Sequence, residues 1–361
     1  MSVSTYFSNT YAEAREQFRA AAKDAGATLD SYQNPAMGPE GEQLSTDVAW
    51  LGPQDASRVL VTLSGTHGAE GFCGSGVQVG WFRTGRARRL PKDTALLQIH
   101  AVNPFGFAWL RRTTEENVDI NRNYVDFDQP LPVNEGYAKY RDLICPSQWS
   151  EQIARDTTEE INRLVEALPP KVMQGAISAG QYVDPEGIFY GGKEPSWSRR
   201  TCDKIMVRFL ASARHIAMVD YHTGLGPRGY GERIGVGKPG MADWDRSNEW
   251  WGDVTSIDDG SSSSAPLNGT NMEAWVAQLS HAQVTPIVLE YGTLPLPDVL
   301  LALRADNWLH AHGDLNSELG VRIKQQARDA FYQDADDWKQ MIWSRGIDTQ
   351  AIALAHLARS A

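Results

Sequence analysis

The sequence predicts an α/β domain with a mostly parallel sheet covered by helices on both faces. Three observations carry this expectation. Short apolar, β-branched runs recur along the chain, each followed by a glycine-containing loop, and buried parallel strands read as such continuous runs. Helical stretches alternate with these runs. Finally, His67, Asn103, His222 and Glu290 all fall at or just beyond the ends of such runs, where open α/β sheets hold ligands.

Residues 11–26 read as an amphipathic helix closed by Gly26. A strand is expected over Asp47–Leu51, before the Gly52-Pro53 turn. Arg58-Val-Leu-Val-Thr-Leu-Ser64 is the first buried strand and ends in Gly65-Thr-His67-Gly68. Small apolar residues after Gly71 suit a helix packed on the sheet. Thr94–Val102 is a second buried strand, broken by Asn103-Pro104-Phe-Gly106. Helices are expected at about 148–168, stopping before Pro169-Pro170, and at about 198–213. The latter feeds a strand from His215 to Tyr221, and another strand covers Thr285–Glu290. From about 296 to 361 the chain reads as a helical extension, with Trp308, Phe331, Trp338 and Trp343 as core anchors. Ser261–Ser264 reads as a mobile surface loop. No repeat or linker divides the chain, so a single domain over 1–361 is expected.

Bulk properties exclude several classes. A net charge of -11 argues against nucleic acid and anionic membrane surfaces as partners. No apolar run reaches the roughly 18–20 residues of a membrane-spanning helix. The N-terminus lacks the basic start and apolar stretch of a secretion signal. Cys73, Cys145 and Cys202 are far apart and odd in number, which suits a reducing compartment rather than a disulfide framework. Cys73 reads as a small buried residue. A cytoplasmic protein is expected, with no oligomeric state assigned.

The chemistry is concentrated in His67-Gly-Ala-Glu70 and Asp220-Tyr-His222. Two imidazoles and one carboxylate at strand ends form a three-ligand zinc set, with a fourth coordination position left open to water or substrate. Asp220 matters because a ligating histidine usually hands its other N–H to a carboxylate or carbonyl. No His-Glu-x-x-His occurs, which excludes a helix-borne metalloprotease site. The remaining histidines read as structural. His100 and His215 belong to strands, His281 precedes a turn, His310 and His312 read as surface residues, and His356 lies in the last helix.

Between the proposed ligands lie Arg111-Arg112 and Val118-Asp-Ile-Asn-Arg-Asn123. One of the two adjacent arginines beside the metal can polarise a carbonyl and stabilise the oxyanion formed in hydrolysis. Asn121 with Arg122 can grip a substrate carboxylate, because guanidinium presents a planar fork matching two oxygens. Glu290 ends an apolar strand. Burial there raises a carboxyl pKa, as suits a base that takes a proton from the attacking water.

Taken in order from about 58 to 293, these motifs resemble the zinc carboxypeptidase superfamily, carboxypeptidase A-like. The resemblance is to a bacterial branch of undefined substrate, related to the succinylglutamate desuccinylase and aspartoacylase group. The resemblance rests on His67-Gly-Ala-Glu70, Asn103-Pro104-x-Gly106, Arg111-Arg112, Val118–Asn123, Asp220-Tyr-His222-Thr and Leu289-Glu290-Tyr. It implies a three-layer α/β/α domain with a mixed, mostly parallel sheet of about eight strands. It also implies zinc on His67, Glu70 and His222, with Glu290 promoting attack of water on a peptide or amide carbonyl. Arg112 or Arg111 would stabilise the oxyanion, with Arg112 preferred, and Asn121 and Arg122 would bind a free carboxylate. The implied substrate is a small peptide or an acyl amino acid, the second corresponding to an N-acyl amino acid deacylase. A non-catalytic metal- or peptide-binding relative is a third reading, against which the intact Glu290 speaks. One departure stands out: the family's substrate-binding tyrosine has no counterpart between Pro266 and Gln278.

Overall fold

The computed structural model describes residues 2–169 and 171–360. Eight strands among the described residues form one sheet: β1 (Thr28–Met37), β2 (Gln43–Leu51), β3 (Arg58–Leu63), β4 (Thr94–His100), β5 (His215–Arg228), β6 (Gly231–Gly235), β7 (Val254–Thr255) and β8 (Gln283–Gly292). Their order is β1-β2-β4-β3-β5-β8-β6-β7. The inner strands β4, β3, β5 and β8 are parallel, while β2 and β6 join them antiparallel. The expected mixed, mostly parallel sheet is therefore the one observed.

Strand β3 shows how the sequence builds the layers. Its residues are almost entirely buried, and successive side chains point to opposite faces. Leu60 packs on one face with the helices Tyr11–Asp24, Gly71–Arg83 and Asp336–Leu357. Val59, Val61 and Leu63 pack on the other, with the helices Trp197–Leu210 and Asn271–Gln278. Each such buried side chain contributes about 1.5–3 kcal/mol relative to exposure. Phe331 and Trp338 are core residues as expected, whereas Trp308 and Trp343 pack at its margins.

Three strands escaped the sequence reading. β1 is an edge strand with mostly exposed or half-buried side chains, so it lacks an apolar run. β6, Gly-Glu-Arg-Ile-Gly, is fully buried despite two charges, because Arg233 pairs with Asp253 and Asp348. β7 is only two residues long. His310 also departs from its expected surface position: it is tucked against Lys324 and Asp306. The serine loop is anchored rather than loose, with Ser262 buried and Ser263 bonded to Glu232.

Among the described residues no helix is long and apolar enough to cross a membrane. The three cysteines are buried thiols.

Candidate metal centre

The end of β3 and the later parts of β5 and β8 meet at one site; β5 runs on to Arg228, so His222 lies inside the strand rather than at its end as expected. After β3 the chain turns at Gly65, in the left-handed region at φ 67°, and delivers His67 just beyond the strand's carboxyl end. A single 3₁₀ turn, Gly68–Glu70, swings Glu70 back beside it. That turn needs glycine at 68, since a Cβ there would lie 1.9 Å from the Gly106 carbonyl carbon. Backbone bonds from Gly68 and Ala69 to the carbonyls of Arg112 and Arg111 complete the loop.

His222 arrives on β5, the strand next to β3. Its Nδ1 lies 3.1 Å from Nδ1 of His67 and 3.0 Å from Oε2 of Glu70, while His67 Nδ1 lies 3.1 Å from Glu70 Oε1. All three side chains are buried. Tetrahedral donors at about 2.1 Å from zinc stand about 3.4 Å apart, so these spacings suit a shared ion with little movement. Two imidazole nitrogens and a carboxylate meet here, and with both nitrogens deprotonated they would need a cation between them. The donor set fits a metal.

The outer nitrogens both face carboxylates, as those of ligating histidines commonly do. His67 Nε2 lies 3.2 Å from Asp119 Oδ1 and 2.8 Å from Arg112 Nη2. His222 Nε2 faces Asp220 Oδ2 at 3.0 Å, a charge contact rather than a well-directed hydrogen bond. Asp220 is itself fixed by Thr66 Oγ1 and Asn271 Nδ2. The sequence marked Asp220 as a candidate partner but left open whether it reaches His222. Asp119 and Asn271 were not recognised, although Asp119 stands in the Val118–Asn123 motif. Burial by itself would raise the Asp119 carboxyl, but Arg112 and Arg122 hold it well below the usual range. Glu70 likewise resists burial because His67 and His222 hold its carboxyl low.

The parallel register decides where Glu290 stands. His222 pairs with Glu290 across β5 and β8, so the two side chains leave the sheet next to each other. Glu290 Oε1 accepts the Leu225 N–H at 3.0 Å, and among the described residues no arginine or lysine forms an ion pair with it. Burial, reinforced by the Glu70 charge, pushes its carboxyl above the usual range. A buried, raised carboxyl beside a metal set is suited to accept a proton.

The two adjacent arginines separate. Arg112 Nε donates to Asp119 at 2.8 Å, and Nη1 reaches Glu70 at 3.2 Å. Arg111 turns away to Asn117 at 2.7 Å and towards Asp306. Arg122 is buried against Phe189, with Ser178 and Asn121 carbonyls accepting its N–H groups. Asn121 Oδ1 accepts the Asn271 N–H at 3.1 Å, leaving its amide NH2 for other partners. Arg112, Asn121 and Arg122 line the same cleft as the metal set, with a cavity volume of about 570 Å3.

One family model, described as "Protein of unknown function (DUF2817)", matches residues 7–345. The chain belongs to this DUF2817 family. No curated protein sequence matches it. Among solved structures, thrombin-activatable fibrinolysis inhibitor aligns with 98% of this DUF2817 chain and 75% of its own, at 10% identity and a TM-score of 0.53. The bovine form, in complex with tick carboxypeptidase inhibitor, covers 98% of each chain at 10% identity and a TM-score of 0.50. A succinylglutamate desuccinylase from Chromobacterium violaceum is a looser likeness, at 15% identity and a TM-score of 0.37, over 84% of this chain and 73% of its own. At such identities the first two likenesses show the fold alone. This DUF2817 chain has the carboxypeptidase-like α/β fold, with a buried His-Glu-His set that could hold a metal.

Proposed function

We propose that this protein is a zinc-dependent hydrolase that cleaves a peptide or amide bond next to a free carboxylate. The observation that carries the reading is the side-by-side register of His222 and Glu290, which puts a raised carboxyl against the His67, Glu70 and His222 donors. A zinc ion held there would supply Lewis-acid polarisation of a carbonyl and lower the pKa of water to about 7.

The chain's own residues account for the rest. Arg122 has N–H groups beyond those given to Ser178 and Asn121, and with the Asn121 amide it binds the substrate carboxylate. Arg112, braced by Asp119, stabilises negative charge growing on the carbonyl oxygen. Glu290 is oriented through Oε1 by Leu225, so Oε2 takes the proton of the attacking water and returns it to the leaving nitrogen. A blocked dipeptide and an N-acyl amino acid satisfy these demands equally.

The test is metal analysis of purified protein, followed by assay of both substrate types before and after chelation. About one zinc per chain and chelator-sensitive hydrolysis restored by zinc are expected. Protein that binds no zinc, or hydrolysis indifferent to chelation, would overturn the reading.

A further inference from the structure

A second glutamate stands in the same row as the proposed base. Glu232 on β6 pairs directly with Glu290 on β8, and Glu290 pairs in turn with His222 on β5. Directly paired residues share a sheet face, so three polar side chains leave one face in a line, at the roughly 4.8 Å spacing of adjacent strands. Glu232 is buried, 5% exposed, and contacts no cation among the described residues. Ile234, two residues further along the same face, lines the cleft as an ordinary apolar residue. Core packing alone would be met by a similar side chain at 232, without the cost of burying a carboxylate.

What Glu232 does instead is hold a loop. Ser263 donates to it through both its N–H, at 3.1 Å, and its hydroxyl, and Thr255 Oγ1 donates at 2.6 Å. Hydrogen bonds to a carboxylate are about twice as strong as neutral ones. Residues just beyond Ser263, from Ser264 to Leu267, form one wall of the cleft. Two other residues lining the cleft touch this loop: Lys171 Nζ reaches the Ser264 carbonyl and Gln174 Nε2 the Ser263 carbonyl, each at 3.4 Å. Both latter bonds are longer than those to Glu232, and the loop is further braced within itself by Ser256–Ser261 and Ser256–Ser262 bonds.

We propose that Glu232 is a positioning residue: through Ser263 it fixes the 256–267 loop as a cleft wall and limits the site to short substrates. This rests on the hydrolase reading for its kinetic consequence but not for its structural one. The loop serves as the size gauge of the pocket, and the Lys171 and Gln174 contacts close that side of the cleft behind a small ligand. A long polypeptide needs those contacts opened.

The experiment compares zinc-loaded wild type, Glu232→Gln and Ser263→Ala. Hydrogen exchange is read over 256–267, and kcat and KM are measured for a blocked dipeptide and a ten-residue peptide with the same terminal residue. In Glu232→Gln, exchange in the loop should rise at least tenfold with exchange in β5 and β8 unchanged. Dipeptide KM should rise several-fold with kcat held within about twofold, and preference for the dipeptide over the long peptide should fall at least fivefold. Ser263→Ala keeps one bond and should move all of these in the same direction by less; it also decides the matter if Glu232→Gln does not fold. Unchanged loop exchange in both variants overturns the proposal, as does increased exchange spread over the whole sheet. Loosened loops with an unaltered length preference overturn the size-limiting role. If wild type hydrolyses neither substrate, the hydrolase reading fails while loop exchange still decides the anchoring role.

Discussion

Replacing Glu290 by Gln probes the proposed chemistry most directly. The two side chains are the same shape, and glutamine can keep an oxygen on the Leu225 N–H, so the backbone after His222 has no reason to move. What disappears is the proton acceptor. General-base catalysis contributes about 10²–10⁴-fold, or about 2.7–5.5 kcal/mol of barrier, and kcat should fall by that amount. Zinc content should be unchanged, because Glu290 is not among the three mutually contacting donors. Stability supplies a second readout. A carboxyl with a folded pKa above its unfolded value binds more protons in the native state as pH rises through that interval, so its ionisation destabilises the fold. Metal-free Glu290→Gln should therefore melt higher than metal-free wild type at pH 7–8, with the gap closing near pH 4. Activity measured with a blocked dipeptide, zinc by elemental analysis and melting by calorimetry form the assay. Turnover within tenfold of wild type would refute the base assignment, and loss of zinc would make Glu290 a ligand. A lower melting temperature would refute the claim that its charge is buried at a cost.

Other substitutions test the surroundings. Asp119→Asn removes the charge behind His67 Nε2 and should weaken zinc affinity about 10–100-fold, measured by competition with a chelator. Arg112→Met should lower kcat about 10²–10³-fold, whereas Arg111→Met should leave kcat for the same substrate near wild type and lower the melting temperature, because Arg111 faces Asn117 and Asp306. His100 is buried, stacked on Phe18 and bonded to Ser75, and burial lowers its pKa to about 4 from an ordinary 6.5. Between these values the unfolded chain binds the extra proton, so this residue costs stability as pH falls from 6.5 and the loss levels off near 4. It amounts to about 3 kcal/mol at about 1.36 kcal/mol per pKa unit. Urea unfolding of wild type and His100→Gln should converge in pH dependence above 6.5 and separate below it.

The sequence by itself determined what depends on neighbours along the chain. Apolar, β-branched runs marked β3, β4, β5 and β8, and the residues at their ends marked the proposed donors, because a strand end is a local property of patterning and glycine. Asp220, two positions from His222 on one strand, was a candidate partner on the same grounds, but only the structure shows that it faces the ring. Edge strand β1 and charged β6 were illegible, since their stability comes from partners distant in sequence, such as Asp348 for Arg233. Arg111 and Arg112 are equivalent as letters; only the bend of the backbone onto Gly68 and Ala69 sends one to Asp119 and the other to Asp306. The tertiary structure also decided the row His222, Glu290 and Glu232, which depends on strand order and register. Lateral hydrogen bonding between strands separated by tens of residues creates that adjacency, and no local pattern encodes it.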